Sequence, residues 1–146
     1  MRACDHPHVL PLWGGCDDPR APCLITPLKH GGNLEDRLMP TEAAIRRLAM
    51  LGLSPPPPPL RVAERVRVMR DMATALAYLH SVVPGVKARI LHCDVKPSNI
   101  LLDEHDGACL ADFGLSRVAK RHDMTAGASV ASVSAVKGTA AFLDPI

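Results

Sequence analysis

Aromatic side chains are nearly absent from this sequence: one Trp, one Tyr and two Phe in 146 residues. A core without rings must be filled by Leu, Val, Ile, Ala and Met. Neither sign of charge dominates, with 17 Lys and Arg against 15 Asp and Glu. There is no basic block suited to nucleic acid and no acidic solvating tail. Apolar runs are all too short to span a bilayer. The N-terminus, Met1-Arg2-Ala3-Cys4-Asp5-His6-Pro7, has no apolar signal core. The five cysteines are odd in number and none stands in C-x-x-C spacing. That argues against a disulfide framework or a zinc site. Reduced thiols in a cytoplasmic setting are the simplest reading. Internal repeats are also lacking.

What is present suits one modest globular domain with little stability to spare. Residues 9–25 are short apolar pieces broken by Gly14-Gly15 and Asp17-Asp18-Pro19, a pattern of two short strands and a turn. Gly31-Gly32-Asn33 reads as a loop, Leu34 to Leu38 as a small helix, and Thr41 to Leu51 as a further helix. Pro55 to Pro59 then follow Ser54. Five consecutive prolines cannot lie inside a helix and favour an extended polyproline segment. Composition leaves two readings, a stiff surface insertion at residues 54–59 or a docking ligand for a proline-binding module.

Arg61 to His80 is the strongest helical stretch, about five turns long. Val62, Val66, Met69, Ala73, Leu76 and His80 alternate steps of four and three, and Leu79 joins them, so the expected core face is that stripe. Pro84-Gly85 ends the helix. Strand-like pieces follow at Ile90-Leu91, Ile100 to Leu102 and Ala108 to Leu110. Asp106-Gly107 closes a hairpin between the last two. From Arg117 to Val136 small polar residues predominate, which reads as a long functional or mobile loop.

Two motifs bracket that hairpin: His92-Cys93-Asp94-Val95-Lys96-Pro97-Ser98-Asn99 and Asp112-Phe113-Gly114. Either alone is weak. Together, in order, behind a long amphipathic helix, they resemble the H-R-D-x-x-x-x-N and D-F-G segments of protein kinases. The residue types suit phosphoryl transfer, which needs a carboxylate at the attacking hydroxyl, cations on the phosphates, and groups that hold those cations. Asp94 would orient the substrate hydroxyl and accept its proton. Lys96 would place positive charge on the transferred phosphoryl group. Asn99 and Asp112 offer hard oxygens to Mg²⁺. Gly114 permits the backbone angles for switching.

The run from Leu91 to Leu102 resembles receptor-like kinases of the Pelle and interleukin-receptor-associated type, in which Lys two residues after the Asp marks serine/threonine specificity. Asp112 to Arg117, and Gly138-Thr139-Ala140-Ala141-Phe142-Leu143-Asp144-Pro145, are similar to the same family. The resemblance implies a two-lobed α+β kinase fold in part. Residues 1–30 would be the end of the small lobe and the hinge, and residues 31–146 a partial large lobe carrying the proline insertion. His6-Pro7-His8-Val9-Leu10-Pro11-Leu12 would enter the fourth strand. Thr26 would be the gatekeeper at the ATP site. The Pro27 carbonyl and the Lys29 N–H would bond the adenine edge, and Leu101 would pack beneath it. His92 and Phe113 would stack between the lobes, and Thr139 would contact the catalytic loop and help place a protein substrate.

Departures from the pattern shape two expectations. No G-x-G-x-x-G strand, V-A-I-K lysine or partner glutamate helix is present, and no lysine precedes Lys29. The sequence therefore reads as a truncated chain or incomplete gene product, with a pseudokinase-like or scaffold fragment as the alternative to an active enzyme. The stripe on the Arg61–His80 helix would then face water. Cys93 stands where arginine is usual, which removes the charge that pairs with an activation-loop phosphate, as in the non-RD members. Thr125, Ser129, Ser132 and Ser134 are candidate phosphorylation sites. His6 and His8 read as structural, not metal-binding, and His30, His105 and His122 as surface residues.

Overall fold

The structure is a computed structural model that describes residues 4–119 and 138–142. It is α+β, as expected, and among the described residues there are three small antiparallel sheets and one long helix. Strands β1 (Gly14–Cys16) and β2 (Cys23–Ile25) pair in the register Gly14 to Ile25 and Cys16 to Cys23. Val9 lies outside them. It bridges to Leu110 instead, where the Leu10 N–H donates to the Leu110 carbonyl at 2.9 Å. This ties the N-terminal segment to the middle of the chain.

The expected loop at Gly31 to Asn33 contains a short strand, β3 (Gly32–Asn33), paired with Leu101 and Leu102. Gly32 is required there. Its φ is +77°, and a Cβ would lie 2.6 Å from Leu48 Cδ2. Asn33 then starts helix α1 (Leu34–Leu38), its Oδ1 accepting from the Asp36 N–H at 2.8 Å. This satisfies one of the orphan donors of the first turn. Thr41 caps α2 (Glu42–Met50) in the same way through the Ala44 N–H.

Pro55, Pro56, Pro58 and Pro59 are exposed. Leu60 is buried immediately after them and anchors the entry to α3 (Val62–His80). Arg61 cannot accept a cap bond because a guanidinium only donates. Glu64 reaches back instead and accepts from the Arg61 N–H at 2.7 Å.

The core face of α3 differs from the expected stripe. Val68, Met72, Ala75 and Leu79 are buried, whereas Val62 (77% exposed), Val66 (58%) and Met69 (70%) face solvent. The helix carries two apolar faces of nearly equal spacing, and periodicity alone does not rank them. The face that packs includes Ala75, fully buried with no long side chain to hold the sheet away. Leu79 belongs to both sets, and Leu76 is half-buried against the core. The remaining stripe faces water.

Strands β4 (Ile90–Leu91), β5 (Ile100–Leu102) and β6 (Ala108–Leu110) fall where the apolar pieces predicted them. β5 and β6 form the expected hairpin, closed by the Asp103 N–H to the Gly107 carbonyl at 3.0 Å. Asp103 Oδ1 also accepts from the His105 and Gly107 N–H groups. Leu102 and Leu110 are fully buried beneath α3. The last strand, β7 (Arg117–Val118), pairs with β4, so the start of the expected long loop is held to the sheet. Thr125, Ser129, Ser132, Ser134 and His122 lie outside the described residues. Among the described residues no helix is long and apolar enough to cross a membrane.

Candidate active site

Asp94 sits in the loop between β4 and a 3-10 turn at Pro97–Asn99. The preceding residue, Cys93, is forced to φ 65°, a left-handed conformation that a branched or bulky side chain avoids. That turn reverses the chain and buries Asp94 at 8% exposure. His92 braces it from below. The Asp94 N–H donates to His92 Nδ1 at 3.3 Å, so the ring proton sits on Nε2, which donates to the Ala111 carbonyl at 2.9 Å. Burial pushes the His92 imidazole down from its usual range, which keeps it neutral. Its ring meets Phe113 edge-on, 4.7 Å between centroids.

Four donors converge on the Asp94 carboxylate. Oδ2 is 2.8 Å from Lys96 Nζ and accepts from Asn99 Nδ2 at 3.0 Å. Oδ1 accepts from the Thr139 hydroxyl at 2.7 Å and from the Thr139 N–H at 3.0 Å. Lys96 Nζ also donates to Thr139 Oγ1 at 2.8 Å. The Lys96 ammonium first, and then Thr139, hold the Asp94 carboxyl far below the usual carboxylate range. The group is therefore ionised at any ordinary pH.

Asn99 Nδ2 donates to both the Asp94 carbonyl, at 2.9 Å, and its carboxylate. Its amide is thus oriented with Oδ1 turned the other way. The Asn99 carbonyl accepts from the Ala111 N–H at 2.8 Å, which brings the next motif alongside. Asp112 follows directly, exposed, with φ 58°. The special backbone conformation attributed to Gly114 falls instead on Asp112. What Gly114 supplies is room: its N–H donates to Asp112 Oδ1 at 3.2 Å, and a Cβ would sit 3.1 Å from that oxygen. The Asn99 amide oxygen and the Asp112 carboxylate are hard oxygens of the kind Mg²⁺ takes, and two protein ligands suffice where phosphate and water complete the shell. Among the described residues, no group of three or more His, Cys, Asp and Glu forms a metal cage.

A separate cavity of about 420 Å³ gathers the residues that the resemblance assigned to the hinge. Thr26, Pro27, Lys29 and Leu101 all line it, Thr26 at an exposed position. The Lys29 ammonium lies beside Cys109, whose thiol is pushed up by burial against that cation's pull. Sequence reading missed the polar and charged lining residues Asn33, Asp36 and Arg47. Asp36 is buried and takes a two-pronged contact from Arg47, at 2.9 Å to Nε and 2.5 Å to Nη2. Asn33 meets Asp36 within one turn, but the Arg47 partner of Asp36 comes from α2, 11 residues further on. Another cavity, of about 470 Å³, lies under Pro57 to Pro59 beside Arg37 and Arg61, with none of the motif residues in its wall.

His6 stacks on Tyr78 at 4.9 Å, and His8 lies 3.7 Å from the buried Asp71 while its Nδ1 contacts the Ala108 carbonyl. Both histidines are parts of the packing. His30 and His105 are exposed.

The family described as "Protein kinase domain" matches residues 1–145. Among curated relatives, the chain is 36% identical over 140 residues to U-box domain-containing protein 51 of Arabidopsis thaliana, covering 96% of this chain and 16% of that protein. It is 37% identical over 145 residues to the nodulation receptor kinase of Pisum sativum, covering 99% of this chain and 14% of that protein. A probable receptor-like protein kinase of Arabidopsis thaliana is 36% identical over 140 residues, 96% of this chain and 14% of its own length. The chain thus spans between 14% and 16% of the length of these relatives.

Proposed function

The chain belongs to the protein kinase domain family, among the protein serine/threonine kinases, and from that premise we propose that it carries the phosphoryl-transfer centre for moving the γ-phosphoryl group of ATP to a protein Ser or Thr hydroxyl in signalling. The observation that carries this reading is the convergence of Lys96, Asn99 and Thr139 on one ionised carboxylate, Asp94. On this reading residues 1–30 are the end of the small lobe and the hinge, and residues 31–146 belong to the large lobe.

Asp94 takes the role of orienting the attacking hydroxyl and receiving its proton at a carboxylate oxygen. An ionised, well-held carboxylate suits a reaction whose catalysis rests on positioning and charge. Lys96, already within reach of Asp94 and Thr139, supplies positive charge where the phosphoryl group moves. Thr139 ties the activation segment to the same carboxylate, so the surface that receives the substrate chain and the base move together. Asn99 and Asp112 would hold Mg²⁺, which when bound neutralises charge on the phosphate oxygens. The cavity at Thr26, Pro27, Lys29 and Leu101 suits the adenine. The Pro27 carbonyl needs only to accept, so its missing N–H is no obstacle.

The test is a thermal melt of the chain with increasing Mg²⁺-ATP, beside Asp112→Ala. A ligand bound only by the folded state raises the melting temperature with concentration, and one hundred times Kd gives about 2.7 kcal/mol. The expected result is a rise in the parent that shrinks sharply in Asp112→Ala. A melt unchanged by Mg²⁺-ATP refutes nucleotide binding at this site.

A further inference from the structure

Among the five cysteines, Cys16 and Cys23 are the two with exposed side chains, and both are free thiols. Cys109 is buried with its Sγ at 3.3 Å from the Pro7 carbonyl, and the half-buried Cys93 turns its Sγ to the Leu91 carbonyl at 3.6 Å. In the ladder of β1 and β2, Cys16 and Cys23 stand directly opposite each other. Side chains of directly opposed residues lie on the same face of a sheet, with Cβ atoms roughly 4.5–5.5 Å apart. A disulfide needs about 3.5–4.5 Å between Cβ atoms, so closure asks for a shift of about 1 Å. The connecting residues are themselves organised. The Ala21 N–H donates to the Asp18 carbonyl at 2.9 Å, and Arg20 pairs with the Asp18 carboxylate at 2.8 Å. The fold therefore holds the two exposed thiols opposite each other at the turn end of a short hairpin.

We propose that Cys16 and Cys23 form a reversible dithiol–disulfide pair, closed by a low-molecular-weight disulfide of the glutathione type. One cysteine thiolate attacks a sulfur of the small disulfide. That S–S bond breaks, a mixed disulfide forms, and the first small thiol leaves with the proton. The second cysteine thiolate then attacks the protein-side sulfur and expels the second small thiol. The two protein thiols lose two electrons and two protons, and the small disulfide becomes two thiols. Exposure makes the bond readily attacked in the reverse direction, the property of labile pairs and not of buried structural ones. The pairing stands on the hairpin register alone and does not depend on nucleotide binding.

The experiment equilibrates the whole chain in graded mixtures of oxidised and reduced glutathione, blocks remaining thiols with a maleimide, and maps the peptides by mass. The expected product is a Cys16–Cys23 linked peptide, two hydrogens lighter than the dithiol. It should form several-fold more readily in native protein than in urea-unfolded protein, and reduced glutathione should return it fully to thiols. In Cys23→Ser, Cys16 should remain as a stable glutathione adduct. Equal linkage in native and unfolded protein would show that sequence proximity, not the ladder, brings the thiols together, and would overturn the proposal. So would separate glutathione adducts on Cys16 and Cys23 with no internal link, or a link that excess reduced glutathione leaves intact.

Discussion

A single carboxylate organises the candidate site, and its charge state follows from its neighbours. Lys96 is the first cause of the low Asp94 titration and Thr139 the second. Replacing Lys96 by Met should let the Asp94 carboxyl titrate closer to the ordinary value of about 3.9, read by carboxyl NMR; an unmoved titration would show that Lys96 does not set the charge. A depressed carboxyl stabilises the fold above its unfolded-state value and loses that contribution as pH falls through the folded one. The clasp around Asp94 therefore persists through the neutral and mildly acid range. His92 acts in the opposite part of the scale. Its burial lowers its titration, so the unfolded chain takes up the proton first, and stability falls as pH drops below about 6.5. His6 is lowered in the same direction by burial and by His8. Melting at pH 5.5 should lie below that at pH 7.5, and His92→Gln should narrow the gap; an unchanged gap would assign the acid sensitivity to other groups.

Helix α3 shows why an element's face is harder to read than its existence. Val62, Val66 and Met69 follow helical spacing as well as Val68, Met72 and Leu79 do. Packing against the hairpin of β5 and β6 chose the second set: Ala75 lets it approach, and Leu60 and Val68 share one buried cluster with Ile100, Leu102, Ala108 and Leu110. The consequence is measurable. Leu79→Ala should cost about 2–5 kcal/mol, the range for emptying a buried leucine site. Val66→Ala should fall within about 0.5 kcal/mol, as exposed substitutions do. Chemical denaturation of both variants decides it, and equal losses would mean that both faces are packed. The short strands were legible for a different reason. Ile100 to Leu102 and Ala108 to Leu110 are bounded by Asp103 and Gly107, whose turn chemistry is local. β3 was not, because Gly32 and Asn33 carry no strand signal and pair only with a segment about 70 residues away.

At the scale of the whole molecule, the outer stripe of α3 leaves Val62, Val66 and Met69 in contact with water. Contiguous apolar surface of this kind promotes association. Met69→Lys should reduce concentration-dependent association and dye binding with little change in the melting temperature. If association persists undiminished, the stripe is not its cause. The motifs at Asp94, Lys96, Asn99 and Asp112 were readable from the sequence because the proposed chemistry would dictate their identities and order, and the candidate hinge residues were readable only through the resemblance those motifs supplied. The sequence by itself determined the mixed α+β class, the places of the main helices and hairpins, and which side chains are candidates for the proposed chemistry, since propensity, turn residues and functional groups are properties of short segments. Only the tertiary structure decided which face of α3 is the core, that Asp36 and Arg47 meet at the cavity lined by Thr26 and Leu101, that Thr139 reaches Asp94, and that Cys16 faces Cys23. Each of those depends on how distant or separately folded segments are brought to one place, and neither periodicity nor composition carries that information.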